Sequence, residues 1–353
     1  MKRRIAVSIA SIALCLGGLV VAQAGAATKT VSASGGSVRF AATVRSATTC
    51  HWSSSPSIPS FTTTVKCKTG TVSRSARFTA NTSTTAKSYA VTLTVRGKTT
   101  TVDHWTVKQA GSPQPVGDIA GPWNLVFNSE FNGSSLDASQ WSTGWFGSGY
   151  TGPIDPTYGL DVSAASQVSV GGGSLQINAI LKANTSPYGT SPYTSGVITT
   201  MTSTYPWTAP ALFSFTYGYA EARIWLPANG SKIADWPAFW LLATALSHTY
   251  PNGEIDILEG IGGTAEAHIH SSLDQGPLTG GGTYVGGWHT FAADWEPGSV
   301  TIYYDGVSIG SFTTQIPSTP MFLLLDLDVS TSLSPPAIAP ATMMVDYVRV
   351  WQH

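Results

Sequence analysis

The sequence predicts an all-β protein of two modules, and three observations carry the prediction. Apolar residues alternate with polar ones at the strand period, no convincing helical stripe interrupts them, and the sign of the charge reverses once along the chain. Between Thr28 and Ser112 the only acid, Asp103, stands against eleven basic residues, a net of +10. Beyond Pro113 only Lys182, Arg223, Lys232 and Arg349 oppose eighteen acids, a net of −14. The formal total of −1 therefore conceals two modules of opposite sign.

Residues 1–27 read as a signal peptide. Lys2-Arg3-Arg4 precedes an apolar stretch from Ile5 to Val21, and small residues follow around Ala22-Gln23-Ala24-Gly25-Ala26-Ala27. A membrane anchor is the alternative reading, disfavoured by the small-residue cleavage site and by the lack of a second such run. A secreted, extracellular protein is expected. Cys15 falls in the discarded segment behind the bulky Leu14, which argues against lipid attachment. Cys50 and Cys67 remain, an even count in an oxidising compartment, and are expected to pair. Such a disulfide would stabilise its domain by about 3 kcal/mol. A metal site is the other reading of two cysteines, but no matching His/Cys cluster accompanies them.

Residues 28–110 form the basic module. Val38, Phe40, Ala42, Val44 and Tyr89, Val91, Leu93, Val95 have the period of half-buried strands. Short strands with frequent turn signals suggest a small immunoglobulin-like β-sandwich. Residues 111–118, with Gly111-Ser112-Pro113-Gln114-Pro115, read as a stiffened linker. Residues 119–353 are again strand-rich, with Leu175-Gln176-Ile177-Asn178, Tyr219 to Leu226 and Met343 to Trp351 as examples. Asp305-Gly306 between two alternating runs is a tight hairpin signal.

Gly253-Glu254-Ile255-Asp256-Ile257-Leu258-Glu259-Gly260 places three acids among apolar residues on one strand. Strict alternation puts Glu254 and Asp256 on one face and Glu259 on the other. A β-bulge near Ile257-Leu258 would return Glu259 to the common face. The two Glu backbones would then stand roughly 13 Å apart, from a rise of ~3.3 Å per step. With each side chain leaning inward, the carboxyls approach the ~5.5 Å separation of a retaining glycosidase. Solvated acids on an exposed strand are the competing reading of the same pattern. Like charges side by side on a strand repel, which favours a use for them.

At these residues the chain resembles glycoside hydrolase family 16, whose bulged Glu-x-Asp-x-x-Glu motif is matched by Glu254, Asp256 and Glu259. Further similar blocks are Phe127 to Gly133, Tyr193 to Gly196, Tyr217 to Arg223, Trp236 to Leu242, Trp288 to Phe291, Asp294-Trp295 and Val345 to Val350. The resemblance implies a β-jelly-roll catalytic domain with an open concave cleft. It implies Glu254 as nucleophile, Asp256 as its positioning partner and Glu259 as acid/base, in a reaction needing no cofactor. Trp236 and Trp240 are expected as sugar-stacking platforms, because pyranose C–H faces pack on aromatic rings, with a core position for Trp240 as the plainer reading. His270 is similar to a family histidine near the acids, with a satisfied surface or core histidine as the plainer reading. That plainer reading is preferred for His268 and His289. Arg223 reads as a substrate ligand or as a counter-ion. Many family members carry a structural calcium, for which Glu130 and Asp346 are the candidates here. The chain departs from many family β-1,3-glucanases at Leu325-Asp326-Leu327-Asp328-Val329-Ser330, where they have an Asn-Leu-x-x-Gly-Gly stretch.

The resemblance implies a retaining endo-glycosidase acting on β-1,3- or mixed β-1,3/1,4-glucan. Galactan-type polymers (agar, carrageenan, β-galactan), transglycosylation and non-catalytic carbohydrate binding stay open. The basic module suggests attachment to an anionic polymer or cell wall, or a plain spacer; no nucleic-acid motif accompanies its charge. A monomer without membrane contact is expected.

Overall fold

The computed structural model describes residues 27–33, 35–45, 49–97, 100–117, 119–145, 159–186, 189–202, 210–244, 253–330 and 337–353. The expected signal peptide, all but Ala27, lies outside the described residues, as do Lys98, Asp118 and Ser334-Pro335-Pro336. The chain divides into two compact units, Met1–Pro113 and Gln114–His353.

Among the described residues the first unit has seven strands: β1 (Ala27–Val31), β2 (Gly36–Val44), β3 (Thr49–Ser55), β4 (Thr63–Lys66), β5 (Gly70–Phe78), β6 (Lys87–Arg96) and β7 (Thr100–Gln109). They form a five-stranded sheet, β1-β7-β6-β3-β4, and a two-stranded sheet, β2-β5. Phe40 from the smaller sheet and Trp52, Val91 and Trp105 from the larger are buried in one core. Alternation explains this packing, since Phe40, Trp52 and Val91 lie at inward positions of their strands. Cys50 and Cys67 are joined, with Cα atoms 5.8 Å apart.

The second unit is a sandwich of two larger sheets. One contains β8 (Asn124–Ser129), β10 (Val168–Gly171), β11 (Ser174–Ala179), β13 (Gly218–Trp225), β18 (His289–Glu296), β19 (Ser299–Tyr304), β20 (Val307–Phe312) and β22 (Ala341–Gln352). The other contains β9 (Ser142–Thr143), β12 (Val197–Thr199), β14 (Trp236–Ala243), β15 (Glu254–Ile261), β16 (Thr264–His270), β17 (Gln275–Thr279) and β21 (Met321–Asp328). Its order is β17-β16-β15-β14-β21-β12-β9, so β15 sits near the middle. The main core fills the space between the sheets, with Ala222, Phe291, Ile302 and Val348 from one and Phe239, Ile255, Ile269 and Leu325 from the other. This arrangement of two packed antiparallel sheets is a β-jelly-roll. The far face of the second sheet carries a smaller apolar cluster around Trp145, Trp240 and Phe322, and beside it the acids of β15.

Candidate active site

The bulge expected at Ile257-Leu258 lies there. Asp256 pairs with Trp240 and Leu258 with Phe239 on β14, which leaves Ile257 as the extra residue. On the other side Asp256 pairs with His268 and Glu259 with Glu266, so two residues of β15 oppose the single Ala267 of β16. Ile257 and Leu258 are consecutive yet both belong to the inter-sheet core. Turning both inward brings Glu259 to the face of Glu254 and Asp256. The carbonyl of Ile257 accepts a hydrogen bond of 3.1 Å from the Tyr304 hydroxyl on the opposite sheet. A buried carbonyl displaced from its ladder needs such a donor. Gly260 follows because a Cβ there would lie 2.6 Å from Pro237 Cδ.

The three carboxyls form one group. A carboxyl oxygen of Glu254, one of Asp256 and a nitrogen of His270 lie within 4.8 Å of one another, as do atoms of Asp256, Glu259 and His268. Asp256 is buried and Glu254 half-buried. Burial pushes Glu254 up to about 7, with the nearby His270 opposing the shift. Burial, then the charge of Glu254, hold Asp256 well above the usual carboxylate range. A proton on Asp256, donated in a hydrogen bond to Glu254, is the arrangement that leaves Glu254 ionised.

Glu259 is gripped from two sides. Trp236 Nε1 donates to its Oε1 at 3.0 Å, and His268 Nδ1 lies 2.7 Å from its Oε2. Burial opposes a charge on His268, but the hydrogen bond and charge of Glu259 outweigh it and raise the imidazole. His270 Nε2 is 3.3 Å from Asp256 Oδ2, and its Nδ1 is 3.0 Å from Asp274 Oδ1. The plainer reading of His268 is thus corrected: it makes the closer contact to Glu259, while His270 adjoins Asp256. Strand alternation signals that both histidines share a face; which acid each meets depends on the bulge. His289 pairs with Asp305 instead.

Two other expectations are corrected, Trp240 and the calcium ligands, and Arg223 takes the second of its two readings. Trp240 is 6% exposed, and its Nε1 donates to Asp326 Oδ1 at 2.7 Å. Its ring is packed in the apolar cluster and offers no open face to a sugar. Arg223 lies on β13 in the other sheet, where its neighbours Ala222 and Ile224 point to the core and its own side chain points outward. There it pairs with Asp346 Oδ2 at 2.7 Å, the counter-ion role, and its guanidinium stands 5.3 Å from the Trp288 ring. Glu130 accepts two hydrogen bonds from Arg349, at 2.8 and 3.0 Å. Both candidate calcium ligands are therefore already neutralised by guanidinium groups, a donor set that does not fit a divalent cation.

A second group of acids was missed as a group. Asp328 of β21 adjoins Asp161, whose Oδ1 accepts from the Val329 N–H at 2.8 Å. Asp161 heads a short strand, Asp161–Ser163, paired in parallel with Tyr193–Ser195. Burial pushes Asp161 up to about 7, and burial followed by the charge of Asp161 raises Asp328 well above its usual range. Asp326 is likewise raised by burial, against the Trp240 N–H.

Residues 190–348 match the family described as Glycosyl hydrolases family 16. The second unit carries a family 16 glycosyl hydrolase domain. A glucan endo-1,3-β-glucosidase A1 of Niallia circulans is 29% identical over 278 residues, covering 67% of this chain and 38% of that protein. An endo-1,3-1,4-β-glycanase, EglC, of Rhizobium meliloti (strain 1021) is 32% identical over 217 residues, 56% of this chain and 42% of that one. The chain thus spans about two fifths of the length of these relatives. Among solved structures, the catalytic domain of an endo-1,3-β-glucanase (laminarinase) from Thermotoga petrophila RKU-1 is 26% identical with a TM-score of 0.55. That match covers 66% of this chain and 99% of that domain.

Proposed function

We propose that the protein is a secreted, retaining endo-glycosidase that hydrolyses β-1,3- or mixed β-1,3/1,4-glucan. The observation that carries the reading is the bulged β15, which gathers Glu254, Asp256 and Glu259 on one face within a half-buried group. Glu254 attacks the anomeric carbon while Glu259 protonates the departing glycosidic oxygen. Water, deprotonated by Glu259, then displaces Glu254 and restores the configuration. Asp256 holds a proton beside Glu254 and so fixes where the negative charge resides. Trp236 orients Glu259 through its N–H and leaves a half-buried ring beside the acids for a sugar face. The names of the relatives support the linkages, and the paired cysteines suit an exported protein.

For the basic first unit a plain spacer and, on the strength of its charge, attachment to an anionic polymer or cell wall are the two readings. The test of the catalytic reading is product analysis on laminarin, lichenan, agarose and β-galactan, with the natural chain and Glu254→Ala in parallel. Oligosaccharides released from laminarin or lichenan by the natural chain alone are expected. Release from agarose or β-galactan alone would replace the glucan, and silence on all four would favour a binding role.

A further inference from the structure

Glu259 has to lose a proton in one half of the reaction and take one up in the other, so what else can hold that proton matters. The His268 ring is fixed in place for this. It stands on β16 directly across from Asp256, stacked 6.2 Å from His270 at an interplanar angle of 23°. On its other edge the backbone of Gly276 packs so closely that a Cβ there would lie 2.4 Å from His268 Cδ2. Nδ1 is 2.7 Å from Glu259 Oε2, while Nε2 faces Glu266 Oε2 at 3.8 Å. A carboxylate on the Nε2 side favours the N–H there, which leaves Nδ1 and Oε2 to hold one proton between them.

We propose that His268 is a positioning residue that shares the catalytic proton of Glu259, the proton between Nδ1 and Oε2 being the one given to the glycosidic oxygen. The inference rests on the hydrolytic reading above. In the first half-reaction the proton leaves the pair for the glycosidic oxygen as the bond from that oxygen to the anomeric carbon breaks and the Glu254 bond forms. The pair is left as a carboxylate facing an imidazole lone pair, an arrangement that attracts a proton. In the second half water supplies it, and the water oxygen replaces Glu254 on the sugar. The charged and titratable groups around His268 are Glu259 and Asp256 across from it on β15 and Glu266 and His270 on its own strand, with Glu254 and Asp274 beyond His270. None is a fixed cation, and β17 beside it carries no titratable side chain. The raised affinity of the imidazole for protons agrees with this setting.

The experiment compares the pH profile of kcat/KM for the natural chain, His268→Gln and His268→Ala on the glucan it cuts. Gln keeps a hydrogen-bond donor but cannot share a proton. Both variants are expected to lose about tenfold in kcat with little change in KM and an unchanged melting temperature. Their alkaline limb is expected to move down by about one pH unit. A rate loss with an unmoved alkaline limb, or rescue by Gln, would reduce His268 to a structural contact. An NMR titration of the His268 ring, assigned by its absence in His268→Gln, needs no turnover. Its midpoint is expected to fall in Glu259→Gln, and an unmoved midpoint would overturn the proposal. If the coupling is present while the natural chain is silent on every glucan, the hydrolytic reading fails and the shared proton stands.

Discussion

Two groups of acids on the two sheets of the second unit are held in opposite ways. On the outer face of the sheet holding β13 and β22, Glu130 and Asp346 are each neutralised by an arginine, Arg349 and Arg223. On β15, among the described residues, no lysine or arginine pairs with Glu254, Asp256 or Glu259; their partners are histidines, a tryptophan N–H and one another. A guanidinium is a permanent cation and pins a carboxylate in its ionised form. An imidazole or a second carboxyl, unlike a guanidinium, can itself gain or lose a proton. The difference separates these two acids pinned in their ionised form from the three of β15, whose partners can themselves change charge.

Three variants break or sharpen the contrast. The largest effect is expected from Tyr304→Phe, which removes the hydroxyl donor from the Ile257 carbonyl. An unsatisfied buried carbonyl costs about 1–3 kcal/mol. The bulge it holds aims Glu259, so a kcat drop of about tenfold should accompany the lower denaturation midpoint. Full activity in a destabilised Tyr304→Phe would show that the bulge holds its shape without the hydroxyl.

Asp328→Asn should act on the pH dependence of stability. Asp328 and Asp161 have raised values in the folded state, so the fold binds protons that the unfolded chain releases. The sign follows: their contribution is fullest below about 4, the ordinary Asp value, and declines as pH rises toward and past about 7. Melting temperatures from pH 4 upward should fall less steeply in the variant than in the natural chain. Parallel curves would remove these acids from the proton balance.

The smallest effect is expected from Arg223→Ala. Its pair with Asp346 is about a third exposed on both sides, so solvent screening limits the loss to less than about 1 kcal/mol. Rates should be unchanged, and chelators should leave the melting temperature where it is. A fall in kcat/KM would connect the outer face to the site and blur the division drawn above.

Much of the site was legible because alternation is a strict rule whose breach shows. Glu254 and Asp256 obey it and Glu259 does not, so the bulge followed from the sequence. The misreadings share one cause. Alternation says which residues of a strand lie together, not which sheet the strand joins, so it could not decide between the two readings of Arg223. The partners of Glu130 and Asp161 lie 219 and 168 positions along the chain, beyond any local pattern. Trp240 shares a strand face with the half-buried Trp236, but its own burial depends on Trp145 and Phe322 from elsewhere in the chain.

The Tyr304 hydroxyl reaches across the sandwich to the strand that carries the acids, and this ties catalysis to the mechanics of the whole domain. The sheets cannot slide over one another without withdrawing that hydroxyl from Ile257. Heating should therefore not leave a long interval in which the domain is intact but idle: inactivation and parting of the sheets should share one rate. Any change that knits the two sheets more firmly, however far from the cleft, would then lengthen the life of the proposed site.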